Sequence, residues 1–298
     1  MECADIPTVT TKFLKMKIKL VICALLAMSS LCSCSKEEPF KWEADNNISV
    51  MSFNLRYDEP ADGKNQWTNR KVACVEMIKK TEPSVFSIQE GLHHQVTYLD
   101  EHLVNYKYVG QGRDDGHTGG ESNAIFYSTA QFELLDNQTF WLSETPDEPS
   151  YGWDAECKRI VTWAKLKDLK SDKTVFVFNT HFDHKGKTAR KESAKLLVNK
   201  IHEIADANSP IFITGDFNAL IRSSIFDPIT DEYFSARRFA DYSDNTKSFN
   251  FFGRWYLSRN IDFIFYQNAH ALSFRTVSED YGVPYISDHY PIITHFNY

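Results

Sequence analysis

The stretch Ile211-Phe212-Ile213-Thr214-Gly215-Asp216-Phe217-Asn218 is the part of the chain that is most informative about its fold. Its first residues are apolar without alternation, which is typical of a strand with both faces buried. Such a strand needs covering layers on two sides, so the stretch predicts a layered α/β fold. Asp216 and Asn218 follow the apolar run, two positions apart, where both side chains can point to one place.

Further apolar, β-rich runs recur along residues 48–298 and predict large sheets. They are Ile48–Asn54, Val85–Gln89, Asn123–Tyr127, Phe132–Phe140, Ile160–Leu166, Val175–Thr180, Ile211–Thr214, Ile261–Tyr266 and Ile292–Phe296. Helical spacing over residues 67–80 and 187–207 predicts helices that cover these sheets. No internal repeat or Pro/Gly/Ser-rich linker divides residues 48–298, which indicates one domain.

Polar residues that can bind metal or phosphate follow the predicted strands with unusual frequency. They are Asn54, Glu90, His181, Asp216, Asn218, Asp262, Asp288 and His289. Open sheets build ligand sites at strand ends. Any one of these residues could equally be a turn or capping residue, because Asn and Asp are common directly after strands. Their joint occurrence favours a single site.

The N-terminus carries an export signal. Residues 16–19 are basic, residues 20–28 are apolar, and small residues follow, so residues 1–33 are predicted to be a leader that begins at Met16. Residues 31–34 resemble a bacterial lipobox, in which Cys34 carries the lipid. The apolar run is shorter than the roughly 20 residues of a spanning helix, so the lipid is the expected membrane contact.

We therefore expect a tether over residues 34–47, a catalytic domain over residues 48–298, and an exported lipoprotein. The acidic segment at residues 35–38 favours the bacterial outer membrane or cell surface, although it is equally consistent with a solvated tether. The periplasmic face is the alternative location.

Charge and cysteine content narrow the classes of function. Loss of residues 1–33 would remove four lysines and two acidic residues, which changes the net charge from −7 to −9. This balance disfavours a dedicated nucleic-acid binder but leaves room for a local basic patch. Outside the leader and lipobox only Cys74 and Cys157 remain, without metal-ligand spacing. They could pair, or Cys74 could be a buried small hydrophobe.

The strand-end motifs resemble those of the endonuclease/exonuclease/phosphatase superfamily, in the order in which that superfamily has them. The matching segments are residues 52–54, 88–90, 179–181, 214–218, 260–264 and 287–291. The Gly-Asp-Phe-Asn motif at 215–218 and the Ser-Asp-His motif at 287–289 are the most specific. The resemblance implies a four-layered α/β/β/α sandwich of two mixed β-sheets covered by helices.

The same resemblance implies a role for each residue. Glu90 would be the main ligand of Mg²⁺, with Asn54 and Asp288 beside it. Mg²⁺ prefers oxygen ligands of these types, and Mn²⁺ is the alternative ion. Asp216 with Asn218 would position the attacking water or the leaving oxygen.

On the other side of the site, Asp262 would orient His289, which then contacts phosphate or acts as a base. His181 would stabilise the phosphate or act as an acid. Arg159 precedes a Thr-Trp-Ala sequence, and the bacterial branch of the superfamily has a similar arginine. Arg159 would bind the phosphate, although a structural ion pair is nearly as good an explanation. Asp183 would contact the substrate or support His181. Glu121, which follows the polar loop at 110–120, would hold the residues of the site in position without contacting the substrate.

The sequence thus predicts a Mg²⁺-dependent phosphodiesterase or phosphomonoesterase with an extracytoplasmic substrate. A phosphorylated sugar or other small molecule, a glycan, a lipid headgroup or an inositol phosphate are the candidate substrates. A surface nuclease is a less favoured variant, because no run of Lys and Arg interleaved with aromatics is present. A surface binding lipoprotein without activity is the rival from a different class. The oligomeric state stays open.

Overall fold

A computed structural model describes residues 47–298 of the chain. The predicted leader, Cys34 and all of the tether except Asn47 lie outside the described residues. Within the described part, no helix is both long enough and apolar enough to cross a membrane.

Thirteen strands of the described region form two sheets. The seven-stranded sheet has the spatial order β10 (Tyr242–Ser243), β12 (His270–Thr276), β13 (Ile292–Asn297), β1 (Asn47–Asn54), β2 (Val85–Gln89), β4 (Ile125–Ser128) and β3 (Tyr106–Val109). The six-stranded sheet has the order β5 (Phe132–Trp141), β6 (Ile160–Asp168), β7 (Thr174–His181), β8 (Ile211–Asp216), β11 (Asp262–Gln267) and β9 (Phe234–Ser235). Both sheets are mixed, because β1 runs parallel to β2 and β7 parallel to β8 among otherwise mostly antiparallel pairs.

Three long helices cover the outer faces of the sheets. They are Trp67–Thr81, His93–His102 and Lys187–Ile204. Two single-turn α-helices and four 3₁₀-helices lie in the connections, at Asp227–Thr230, Ala236–Phe239, Pro60–Asn65, Ser224–Phe226, Phe251–Gly253 and Trp255–Leu257.

Three apolar cores separate four layers. One core lies between the sheets and joins Val50 of β1 to Val177 of β7. A second packs the six-stranded sheet on the helix Lys187–Ile204 through residues such as Leu197. The third packs the seven-stranded sheet on the other two long helices. The predicted four-layered sandwich of two mixed sheets is therefore confirmed.

Buried amides join the two sheets directly beneath the strand ends. Gln89 Nε2 donates to Asn179 Oδ1 at 2.7 Å, and Asn179 Nδ2 donates to the carbonyls of Ile88 and Ala124 at 2.8 and 3.0 Å. Because Gln89 and Asn179 are fully buried, these bonds hold the ends of β2 and β7 in fixed relative positions.

Arg70 is a buried cation on the helix Trp67–Thr81 with only 1% of its surface exposed. Its guanidinium donates to the carbonyls of Leu55, Arg56 and Ile286 at 2.8, 3.1 and 2.7 Å. These carbonyls belong to the chain just after β1 and just before Asp288. Arg70 therefore fastens two of the segments that carry strand-end residues.

Cys74 and Cys157 are not bonded to each other. Cys74 lies in the third core, and its thiol donates to the carbonyl of Ile286 at 3.3 Å. Burial raises the pKa of this thiol to about 12. Cys74 is thus a buried small side chain, one of the two alternatives left open by the sequence.

Candidate active site

Asp216, Asp262 and His289 form a buried group in the six-stranded sheet and the loop before β13. Asp262 and Asp216 are opposed in the register of β11 and β8. Both oxygens of Asp262 lie 2.9–3.0 Å from His289 Nδ1, and Asp216 Oδ2 lies 3.7 Å from His289 Nε2. Burial alone would lower the pKa of His289, but Asp262 and Asp216 raise it to about 10. The imidazole is therefore held in its charged form by two carboxylates.

Asn54 and Glu90 meet Asp216 from the other sheet, since the parallel strands β1 and β2 end side by side. Asn54 Nδ2 donates to Glu90 Oε1 and to Asp216 Oδ2, both at 3.0 Å. Tyr57 N donates to Glu90 Oε2 at 3.1 Å. Glu90 adopts a φ of 61°, a left-handed conformation that is uncommon for this residue type. Backbone strain of this kind is concentrated at functional sites.

The site concentrates more negative charge than its own residues neutralise. Burial and the charge of Asp262 raise the pKa of Asp216 to about 7. Burial and the charge of Glu90 raise the pKa of Asp288 and bring that of Glu121 to about 7. Carboxylates crowded in this way become easier to ionise when a cation lies among them. The carboxylate oxygens of Glu90 and Asp288 fit a hard divalent cation such as Mg²⁺.

A second histidine, His181 at the end of β7, also lies near Asp216, with Nε2 at 3.7 Å from Oδ2. Asn218 Nδ2 donates to the carbonyl of Phe182 at 2.9 Å and faces His181 Nε2 at 3.0 Å. Since an amide nitrogen donates, His181 Nε2 accepts and the proton lies on Nδ1. Burial, followed by the charge of Arg159, holds the pKa of His181 well below its usual value. His181 Nδ1 has no hydrogen-bond partner, and Glu121 Oε2 lies 3.9 Å away.

Arg159 is also buried with a free donor, and Asp183 holds it. Arg159 Nε lies 3.4 Å from Asp183 Oδ2, Nη2 lies 3.1 Å from His184 Nδ1, and the buried Nη1 has no partner. Asp183 Oδ1 accepts from the backbone N–H groups of Lys185 and Gly186. Although burial would raise the pKa of Asp183, these donors and Arg159 lower it to about 2.

This arrangement favours a supporting role for Asp183, and the substrate contact stays a prediction. Both oxygens are already bonded within the chain, and only 1% of the residue is exposed. Asp183 therefore lies behind Arg159 and orients it, while Arg159 itself presents a donor.

The polar loop at residues 110–120 supplies a residue that sequence reasoning did not select. Arg113 Nη1 donates to Glu121 Oε2 at 2.6 Å, while its buried Nε has no partner. Trp141 Nε1 donates to the carbonyl of Arg113 at 2.7 Å and fixes the loop. The signal in the sequence was an arginine in a long loop just ahead of Glu121.

A family model for the endonuclease/exonuclease/phosphatase family matches residues 51–289, a span that runs from β1 to His289 and includes each of these strand ends. The chain belongs to the endonuclease/exonuclease/phosphatase family. Members of this family are hydrolases that act on phosphate esters.

Solved structures of the endonuclease/exonuclease/phosphatase family are similar over most of the chain. One from Bacteroides vulgatus is 38% identical with a TM-score of 0.81, covering 85% of this chain and 99% of that one. A mannosyl-6-phosphatase from Bacteroides thetaiotaomicron is 34% identical with a TM-score of 0.79, covering 84% and 100%. The catalytic domain of human Nocturnin, at 18% identity and a TM-score of 0.68, shares the fold.

Two curated relatives match a smaller share of the chain than these structures do. The chain is 31% identical over 160 residues to an uncharacterised protein of Acanthamoeba polyphaga mimivirus. That match spans 51% of this chain and 59% of the viral protein. A second mimivirus protein is 22% identical, and the match spans 29% of its length. The chain thus spans less than two thirds of either curated relative.

Proposed function

We propose that this chain is a Mg²⁺-dependent hydrolase of phosphate monoesters on small, sugar-like leaving groups. The main observation behind this proposal is that Asp216 Oδ2 lies 3.7 Å from Nε2 of both His181 and His289. Two imidazoles in different protonation states, arranged about one carboxylate, suit a reaction that binds phosphate and activates water.

The cation would be held by Asn54, Glu90 and Asp288. Oxygen donors of this type favour Mg²⁺, with Mn²⁺ as the alternative. When bound, such an ion supplies charge neutralisation at the phosphoryl oxygens.

Asp216 is the group we assign to the attacking water. A carboxylate whose pKa lies near 7 can accept a proton at neutral pH and return it afterwards. The water adds to phosphorus as the ester P–O bond breaks, which releases inorganic phosphate and an alcohol. His289, held in its charged form by Asp262, donates from Nε2 to a phosphoryl oxygen and offsets the charge that develops there.

Phosphate binding falls to the donors that have no partner among residues 47–298. Arg159 Nη1 and His181 Nδ1 are both buried and unpaired. A buried donor without a partner costs about 1–3 kcal/mol, which a phosphate oxygen would offset. Asn218 keeps His181 in the required tautomer, and Asp183 keeps Arg159 in place.

Three observations support a sugar phosphate and an extracytoplasmic location. A structure at 34% identity is a mannosyl-6-phosphatase, and the acidic net charge of −7 disfavours a nucleic-acid strand. The leader and lipobox motif around Cys34 support an exported protein anchored by lipid at the outer membrane or cell surface.

The test is a substrate panel with residues 35–298 in Mg²⁺. It contains mannose 6-phosphate, p-nitrophenyl phosphate, bis-p-nitrophenyl phosphate, DNA, RNA and phospholipid vesicles. We expect the highest kcat/KM on a phosphate monoester. Faster hydrolysis of DNA or of the diester would replace the proposal with a nuclease or phosphodiesterase, and no turnover on any ester would favour a binding lipoprotein.

A further inference from the structure

A cavity of about 880 Å³ adjoins the candidate active site. Asn218 and His184 line one part of it, next to His181 and Arg159 respectively. Ile261, the residue before Asp262, lines another part. The cavity therefore opens beside the place where a leaving group would lie.

The lining of this cavity is strongly basic. Its Lys and Arg residues are Lys187, Arg190, Lys191, Arg222 and Arg259. No Asp or Glu lines it, although the chain as a whole carries a net charge of −7. The positive charges are therefore concentrated in the lining of this cavity, beside the site.

Structural contacts account for two of the five cations, since Arg190 donates to the carbonyl of Asp183 at 2.6 Å and Arg259 lies over the ring of Phe249. Among the described residues, the side chains of Lys187, Lys191 and Arg222 have no hydrogen bond or ion pair. Lys187 and Lys191 lie in the first turns of the helix Lys187–Ile204, where positive charge opposes the helix dipole. Mutual repulsion adds to this cost, so binding of an anion is the better explanation.

We infer that this cavity receives a second phosphate group, carried on the leaving group of the substrate. The inference rests on the proposed function, because it concerns the same ester, and it narrows the substrate class to small bisphosphorylated sugars. A cavity of this volume is in the range of small-molecule sites, which favours a small ligand over a nucleic-acid strand.

The experiment compares mannose 1,6-bisphosphate with mannose 6-phosphate on three proteins. These are the parent, the double variant K191Q/R222Q, and K195Q as a control. Lys195 is on the same helix, pairs with Glu192 and does not line the cavity. Binding is measured by calorimetry in EDTA, and phosphate release is measured separately in Mg²⁺.

The parent should bind the bisphosphate about tenfold more tightly than the monophosphate, a ratio equal to about 1.4 kcal/mol. K191Q/R222Q should lose this preference while its affinity for the monophosphate stays within about twofold, and K195Q should keep it. Equal affinities for the two sugars in the parent, or equal losses for both in the double variant, would overturn the inference. Tighter binding of a single-stranded oligonucleotide that K191Q/R222Q abolishes would also overturn it.

The two proposals fail in different ways. If the parent prefers the bisphosphate in calorimetry but releases no phosphate from any ester, the proposed function fails and the cavity assignment stands. If it hydrolyses both sugars with the same kcat/KM and binds them equally, the function stands and the cavity assignment falls.

Discussion

The dependence of His289 on Asp262 gives a prediction of defined size. Asp262→Asn removes the carboxylate that lies 2.9–3.0 Å from His289 Nδ1 and keeps its shape. Within residues 47–298, that carboxylate has no other hydrogen-bond partner. Its hydrogen bonds therefore act on turnover through His289, while its charge also acts on the pKa of Asp216.

The expected loss follows from the role assigned to the imidazole. Both side chains are almost fully buried, and without Asp262 the pKa of His289 should fall toward its usual range. A positioned acid–base group contributes at least about 10²-fold to the rate. Asp262→Asn and His289→Ala should each lower kcat by about this factor, which equals roughly 2.7 kcal/mol of activation free energy.

The double variant separates a pair from two independent groups. If Asp262 acts through His289, adding Asp262→Asn to His289→Ala should change kcat by less than about threefold, so the coupling energy is close to 2.7 kcal/mol. The assay is phosphate release on the best monoester of the panel, with thermal melting of each variant and Asp227→Asn as an exposed control. A multiplicative loss of about 10⁴-fold in a folded double variant would refute the pairing.

Three further predictions concern stability and location. Arg70→Met should lower the free energy of unfolding in a denaturant titration by about 3–5 kcal/mol, because it leaves buried carbonyls without a donor. Lys79→Met on the same helix should change the free energy of unfolding by less than about 0.5 kcal/mol. Equal losses in the two variants would contradict the role of Arg70. Burial lowers the pKa of His295 to about 4 in the folded protein. As the pH falls, His295 is therefore protonated in the unfolded chain before it is protonated in the folded one. The free energy of unfolding should thus fall by up to about 3 kcal/mol from pH 6.5 to pH 4. His295→Gln should remove that part of the pH dependence, and an unchanged profile would exclude His295 as its source. Cys34→Ala should move the protein from the membrane to the soluble fraction with unchanged turnover, and continued membrane partitioning would exclude lipidation at Cys34 as the anchor.

Sequence patterns predicted the strands in which the side chains are either all buried or buried in regular alternation. The apolar run Val85–Gln89 has the same bounds in the structure. The strand His270–Thr276 was not predicted, because a β-bulge between Ala271 and Ser273 breaks the alternation of buried side chains. The helix His93–His102 was not predicted either, since it is mostly polar and buries only Gln95, Val96 and Leu99.

At the site, the sequence predicted the residues that neighbouring strands bring together. It did not predict contacts between residues that are far apart in the sequence. Asn54 and Glu90 end parallel neighbouring strands, so their meeting follows from the sheet. The role of Arg70 could not be predicted, because one of its acceptors, Ile286, is 216 residues away. Asp183 could not be oriented from sequence, since a local turn to Gly186 and the ion pair with Arg159 together decide where its carboxylate points.

Metal-dependent ester hydrolysis at Asp216 is tested by phosphate release from a monoester by residues 35–298, measured in Mg²⁺, in EDTA and with Asp216→Asn. We expect turnover in Mg²⁺, none in EDTA with recovery on added Mg²⁺ or Mn²⁺, and a loss of at least about 10²-fold in a variant that melts like the parent. Undiminished turnover in EDTA, or a folded Asp216→Asn variant that keeps most of the parent rate, would contradict it.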